Sequence, residues 1–311
     1  MKKIDRLKRQ IKVAARREAS AMRAGLEADQ SALRSMSPAD ARRGFRAIGV
    51  PRFLYKYRSV PRPDDDVGVQ QLRDLLVETR LWLASAPTLN DPFDSHIEHN
   101  WKLQGEEARK EWMKFIRSTY GISSAKAAAL VPSHYVADPA KTRAVLNRIH
   151  RELAEQVGVC SFSSTARNTQ LWSYYADSNH GFAVQYAPAL DPAGLFARRI
   201  NYTADPVVVE GFGVGGDMHI VDLLLMKGID WGHEKEWRVI DPGHSNYALA
   251  LRPEALTGLI LGLNIQPAAL ALLRSLLDER RRRYLPMPRV YRVKKPAKGQ
   301  RLRVESCGDL E

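Results

Sequence analysis

The chain has only two cysteines in 311 residues, Cys160 and Cys307. Two thiols so far apart make neither a disulfide framework nor a metal knuckle, so reduced cysteines are expected. No stretch approaches the roughly 18 apolar residues that a membrane-spanning helix needs. The opening MKKIDRLKRQ has the charge of a secretion signal, but no apolar run follows it, and a soluble cytoplasmic protein is expected. His96 and His99 flank Glu98 and imitate a metal pair, yet His-Glu-x-x-His and a third ligand are lacking, so no metal is expected. Gly211, Gly213, Gly215 and Gly216 lack the Lys-Ser/Thr of a phosphate loop and read as a plain loop.

Acidic residues are scarce at the two ends. Residues 1–48 hold 13 Lys+Arg against 5 Asp+Glu, and residues 274–311 hold 12 against 5, while residues 49–273 hold 23 against 25. The net charge of +13 is therefore terminal. Such ends fit nucleic acid, through release of counterions from phosphates, or an acidic protein partner.

The division that follows is 1–50 as a basic helical extension, 51–273 as the core domain, and 274–311 as a basic C-terminal segment. Ile4, Leu7 and Ile11 predict a basic amphipathic helix from Lys2 to about Leu33. Ser37 before Pro38 reads as the N-cap of a short second helix. Alternation in Phe53 to Arg58 predicts a strand, Gln70 to Thr79 a helix with Leu72, Leu75 and Leu76 on one face, and Leu81 to Ser85 another strand. Residues 105–157 read as mostly helical with breaks near Gly121 and Pro132. Strands are predicted at Val159 to Ser163, Gly181 to Tyr186, Arg199 to Tyr202, Glu236 to Ile240 and Leu256 to Leu263, and a helix at Pro267 to Leu277. Helices first and strands later predict an α+β fold with a mixed or antiparallel sheet flanked by helices.

Between Gly158 and Tyr186, Leu171, Trp172, Tyr174 and Tyr175 are interleaved with Asn168, Gln170, Ser173, Asp177, Asn179 and His180. Aromatic faces among hydrogen-bonding groups are the lining of ligand pockets. The set LYKYR (Leu54 to Arg58), LWLASAPTLNDPFD (Leu81 to Asp94), CSFS (Cys160 to Ser163), LWSYYADSNHGFAVQY (Leu171 to Tyr186) and W-x-x-E-x-E-W-R (Trp231 to Arg238) resembles the bacterial domain of unknown function numbered 2971. The resemblance covers roughly Phe53 to Leu263 and implies a boundary and a motif set without a reaction.

A fainter similarity, to the Arg-Ser-Glu form of the ADP-ribosyltransferase superfamily, implies a reaction and a fold of that type. In it Arg58, with Tyr57 beside it, matches the first-strand arginine, Ser161 or Ser163 the second-strand serine, and Glu234-Lys235-Glu236 the Glu-x-Glu pair. The implied substrate is NAD. Glu236 would stabilise an oxocarbenium-like state, and Glu234, two residues away on the same strand face, would orient the acceptor. Arg58 would hold the phosphates, and Phe162, Tyr174 or Trp172 would stack on nicotinamide, with Tyr175 nearby. The effector role that the resemblance implies is that of a bacterial toxin or antiphage defence protein modifying nucleic acid or protein. The competing structural readings pair Glu236 with Arg238, pair Arg58 with Asp64 to Asp66 or Asp91, and treat Asn90 to Asp94 as a capped turn. A non-catalytic nucleic-acid or protein-binding module is the alternative function.

Overall fold

The computed structural model describes residues 31–89, 91, 94, 97–131, 133–205, 207–211, 220–296 and 301–308. The helix expected from Lys2 lies outside them up to residue 30. In chain order the helices are α1 (Pro38–Ala47), α2 (Asp66–Leu76), α3 (Gly105–Tyr120), α4 (Ser124–Leu130), α5 (Ser133–Val136), α6 (Pro139–Ala154), α7 (Thr169–Tyr174), α8 (Ile220–Leu223) and α9 (Pro267–Arg282). Ser37 caps α1, its side chain accepting from the Asp40 amide. Asp65 caps α2 in the same way through the Gly68 amide, which places the helix start earlier than the apolar spacing alone predicts.

The strands are β1 (Leu54–Arg58), β2 (Arg80–Ser85), β3 (Ile97–Asn100), β4 (Gly158–Ser163), β5 (Phe182–Tyr186), β6 (Ala197–Arg199), β7 (Asn201–Thr203), β8 (Val207–Glu210), β9 (Met226–Gly228), β10 (Glu236–Asp241), β11 (Tyr247–Ala250), β12 (Leu256–Leu261), β13 (Arg289–Lys294) and β14 (Arg303–Gly308). A ten-stranded sheet runs β11-β2-β4-β1-β5-β12-β13-β14, with β10 beside β4 and β6 beside β10. Only β12 and β13 pair in parallel within it, so the fold is α+β around a mixed sheet. The 273/274 boundary falls inside α9, and β13 and β14 extend the main sheet, so the C-terminal segment is part of the core.

One face of the sheet, built by Leu54, Leu81, Leu83, Phe162, Phe182, Val184 and Trp237, packs against α1, α2 and α9. The other face buries Tyr57, Ala183, Ile260 and Val293 beneath Leu171 and Trp172 of α7. A second core forms where Trp112 and Ile116 of α3 and Leu146 and Leu153 of α6 meet Val159 of β4. These covers hold the sheet from both sides and leave an opening beside β4.

Candidate active site

That opening is set by how β4 is shared. Along one edge β4 pairs with β10 over its full length, from Gly158 opposite Asp241 to Ser163 opposite Glu236. Along the other edge it meets β2 at Gly158 and Val159 and β1 at Ser163, which leaves residues 160–162 without a strand neighbour. In place of a strand, Lys56 Nζ donates to the Ser161 carbonyl at 3.2 Å. A cleft of about 250 Å³ fills the gap.

Side chains reach the cleft from both faces. Register places Tyr55 and Tyr57 on the side of Ser161, Ser163 and Glu236, and places Lys56 and Arg58 on the side of Phe162. All of these line the cleft, together with Tyr175, Lys227 and Glu234. The Arg58 side chain makes no hydrogen bond or ion pair with a described residue, so neither Asp64 to Asp66 nor Asp91 holds it. Lys56 lies 5.7 Å over the Phe162 ring.

Glu234 arrives by a different route from Glu236. It ends a 3-10 turn (Ile229–Glu234), and Lys235 then takes a left-handed backbone, φ 49°, before β10 begins. The expectation that the two glutamates share a strand face is therefore corrected: the reversal at Lys235, not alternation, brings both carboxylates to the cleft. The Ser163 hydroxyl fixes this turn by donating to the Glu234 carbonyl at 2.7 Å, and Asn168 Nδ2 donates to the His233 carbonyl at 2.5 Å.

The cleft wall itself contains a buried ion network. Lys227 Nζ donates to Glu234 at 2.7 Å and to Glu236 at 2.9 Å, and approaches Asp94 at 3.8 Å. Arg238 donates through Nε to Glu236 at 2.7 Å, through Nη1 to Asp94 at 2.9 Å, and through Nη2 to Asp94 again. Tyr175 donates to Glu234 at 2.8 Å, and the Glu236 amide donates to the Tyr202 hydroxyl oxygen at 2.8 Å. Trp231 presents its ring 4.8 Å from Lys227 Nζ. Among these five described groups the carboxylates outnumber the cations by one, three against two.

Burial alone would raise the Glu236 pKa. Arg238, Lys227 and hydrogen bonds from Arg238 and Ser161 overcome it and hold the carboxyl at about 2. Burial would lower Lys227, but Glu236 and Glu234 raise it above the ordinary lysine range. Glu236 is thus a fixed anion at neutral pH, suited to electrostatic stabilisation and unsuited to taking up protons.

Two aromatic residues expected in the site are elsewhere. Trp172 is 0% exposed, packs edge-on against Tyr57 at 5.0 Å and donates to the Ala166 carbonyl at 2.8 Å, so it braces the site from below. Tyr174 is 63% exposed and does not line the cleft. Phe162 presents its ring to the α1/α2/α9 core, against Tyr186. Trp82 of β2, 54% exposed and lining the cleft, offers an open aromatic face there beside the half-buried Tyr55 and Tyr175. Asp94, Lys227 and Trp82 carried no site assignment from the sequence. No local signal marked Asp94, whose bond to Arg238 spans 144 residues, while a lone lysine in an apolar run, Leu223 to Lys227, was the signal for Lys227.

The stretch 176–181 aims α7. Asp177, Ser178 and Asn179 all have left-handed backbones. Gly181 sits so close to the Arg58 carbonyl that an added Cβ would lie 2.2 Å from it. The Gly262 amide donates to the Gly181 carbonyl at 2.9 Å and the Asn264 amide to the Asn179 carbonyl at 3.0 Å, pinning the turn to the end of β12. Tyr175 is thereby carried to Glu234. The His180 ring contacts its own turn, at Asp177 O, 2.8 Å away.

His96 lies outside the described residues, as do Gly213, Gly215 and Gly216. His99 stacks on His150 and contacts the Gly211 carbonyl at 3.2 Å. No described helix is long and apolar enough to cross a membrane. Comparison with protein-family models, curated proteins and solved structures finds no match to the chain.

Proposed function

We propose that the cleft binds NAD and that the protein is an ADP-ribosyltransferase-like enzyme, in which Glu236 stabilises the cation formed as the nicotinamide–ribose bond breaks. One observation carries this reading: Arg58, Ser161, Ser163, Glu234 and Glu236 converge on a single cleft at the gap beside residues 160–162 of β4. The cleft volume of about 250 Å³ is near the small end of ligand pockets and fits the nicotinamide–ribose end of the dinucleotide. Arg58 and Lys56 supply cations for the diphosphate, and the Arg58 guanidinium bonds no described residue. Trp82 supplies the stacking face that Trp172 and Tyr174 do not.

The chemistry follows from the charges. As the C–N bond breaks, its electron pair stays with nicotinamide and neutralises the pyridinium, while positive charge spreads over the ribose C–O. A fixed Glu236 carboxylate beside the ribose favours that state over the ground state. An acceptor nucleophile then forms the new bond and releases its proton to solvent. Glu234, held by Tyr175 and Lys227, is placed to position that acceptor. The test is incubation with NAD labelled in its ADP-ribose part, with and without cell extract. Nicotinamide release with label transfer is expected; neither product at any extract concentration would overturn the reading.

A further inference from the structure

The edges of the ten-stranded sheet are guarded unequally. β6 carries Arg198 and Arg199, and β14 carries Arg303 and Glu305. Charged side chains of that kind discourage a further strand from pairing. β11, at the other end of the order from β14, reads Tyr-Ala-Leu-Ala and exposes Ala248 and Ala250. It has no charged residue of its own. Its register fixes where its backbone groups point. Tyr247 lies opposite Leu83 of β2 and Ala250 opposite Arg80, and the Leu251 amide, just past the strand, donates to the Thr79 carbonyl at 3.0 Å. Residue pairs in an antiparallel ladder alternate between bonded and non-bonded, so Tyr247, Leu249 and Leu251 turn N–H and C=O toward β2. Ala248 and Ala250 turn theirs away from it, where no described strand lies.

A groove of about 380 Å³ adjoins this edge and is lined in part by Leu249, Ala250, Arg252, Arg34 and Asp191. Asp191 is tied to the backbone, its two oxygens accepting from the Gly194 amide at 3.1 Å and the Arg252 amide at 2.8 Å. Arg252 Nη2 donates to the Arg34 carbonyl at 2.7 Å. Neither the Arg34 nor the Arg252 guanidinium has an ion-pair partner among the described residues. Two such groups side by side in a groove favour a carboxylate. Leu249 and Leu251 belong to the α1/α2/α9 side of the sheet, while Ala248 lies opposite Trp82 on the side of the cleft.

We infer that β11 takes an extended acidic segment of a partner protein as an added strand, its backbone paired with Ala248 and Ala250 and a carboxylate on Arg34 and Arg252. Main-chain bonds hold such a segment, and its alternate side chains select the sequence. Successive side chains of an added strand point to opposite faces. The residue opposite Leu249 therefore faces the groove, and its neighbours lie beside Ala248 and Ala250, whose methyl groups leave room for an apolar side chain. A nucleic acid would use the arginines and leave the outward amides and carbonyls without a matching ladder. β11 is one strand from Trp82 and Ala84, so the segment is held next to the cleft that they line.

Fluorescence anisotropy on the full chain, with labelled peptides of about nine residues, tests the assignment. The peptides alternate valine with glutamate, alternate valine with lysine, or repeat the glutamate sequence N-methylated at every amide. The glutamate peptide should bind with Kd below about 1 mM and at least about tenfold tighter than the lysine peptide, and N-methylation should abolish binding. Ala248→Pro removes an outward N–H and no bond to β2, so it should weaken binding about fivefold with the circular dichroism unchanged. Arg34→Gln with Arg252→Gln should bring the affinity for the glutamate peptide down to that for the lysine peptide. No binding of the glutamate peptide, equal binding of the lysine or N-methylated peptide, or wild-type affinity in Ala248→Pro would overturn the proposal. So would a dimer in sedimentation that Ala248→Pro dissociates, because the edge would then belong to a second copy. No NAD is present, so the outcome is independent of the transferase reading.

Discussion

Replacing Arg238 by methionine should destabilise the protein strongly at neutral pH and much less in acid. Arg238 is 0% exposed and donates to Glu236, to both oxygens of Asp94 and to the Leu224 carbonyl. The variant leaves Asp94 and Glu236 buried with Lys227 as their shared cation. Breaking a buried pair costs about 3–5 kcal/mol. The shift of Glu236 from its ordinary 4.5 to about 2 converts to about 3 kcal/mol, in the same range. A loss of that size lowers the thermal midpoint by on the order of 10 °C. The pH dependence has a definite sign. Glu236 has a depressed pKa, so its contribution is present above 4.5 and is lost as the pH falls toward 2. The difference between wild type and variant should therefore shrink across that window. Urea unfolding at pH 7 and pH 3 checks it. A difference below about 1 kcal/mol at pH 7, or one unchanged at pH 3, would refute the reasoning.

Arg58→Gln should leave the thermal midpoint within about 1 °C, because Arg58 bonds no described residue, while raising KM for NAD at least tenfold as a charge-assisted contact of roughly 1.5–3 kcal/mol is lost. Arg280→Met should lower the urea midpoint by an amount equivalent to about 3 kcal/mol without touching the cleft. It strips hydrogen bonds from the carbonyls of Leu76, Pro253 and Pro286 and from Thr79. Gly262→Ala should be destabilising and should lower turnover as well, since its Cβ would lie 2.2 Å from the Asn179 carbonyl and displace the turn that carries Tyr175. Refolding yield and NAD turnover of that variant, measured together, check it.

How far the sequence alone reached depends on where each signal was local. The N-cap of α1, the helical run from 105 to 154 and strands β4, β5 and β10 are written in neighbouring residues and are read correctly from them. β13 is hidden because its exposed positions carry Arg289 and Lys294, and the edge strand β14 because Arg303, Ser306, Cys307 and Gly308 are exposed and show no apolar alternation, so both read as a solvated tail. Arg280 is hidden inside a run of four arginines, although it alone of them is wholly buried. Among the candidate site residues, the aromatic stretch brings Leu171 and Tyr175 to the cleft, while Trp172 turned inward because its indole N–H found the Ala166 carbonyl. Asp94 reads locally as turn chemistry, and it does sit in a turn, its amide donating to the Asp91 carbonyl at 3.0 Å. Its bond to Arg238 joins residues 144 apart in the chain, which no local pattern encodes. The pairing of Glu236 with Arg238, raised as the structural alternative, is present, and it coexists with Glu236 lining the cleft.

The central claim is that the Glu236 carboxylate faces the bond that breaks. The direct measurement is nicotinamide release from NAD by wild type and by Glu236→Gln, each at saturating NAD, with circular dichroism confirming that the variant is folded. Loss of an electrostatic stabiliser should reduce the rate on the order of 100-fold or more while NAD affinity changes little. A folded Glu236→Gln protein that releases nicotinamide at the wild-type rate would contradict the account.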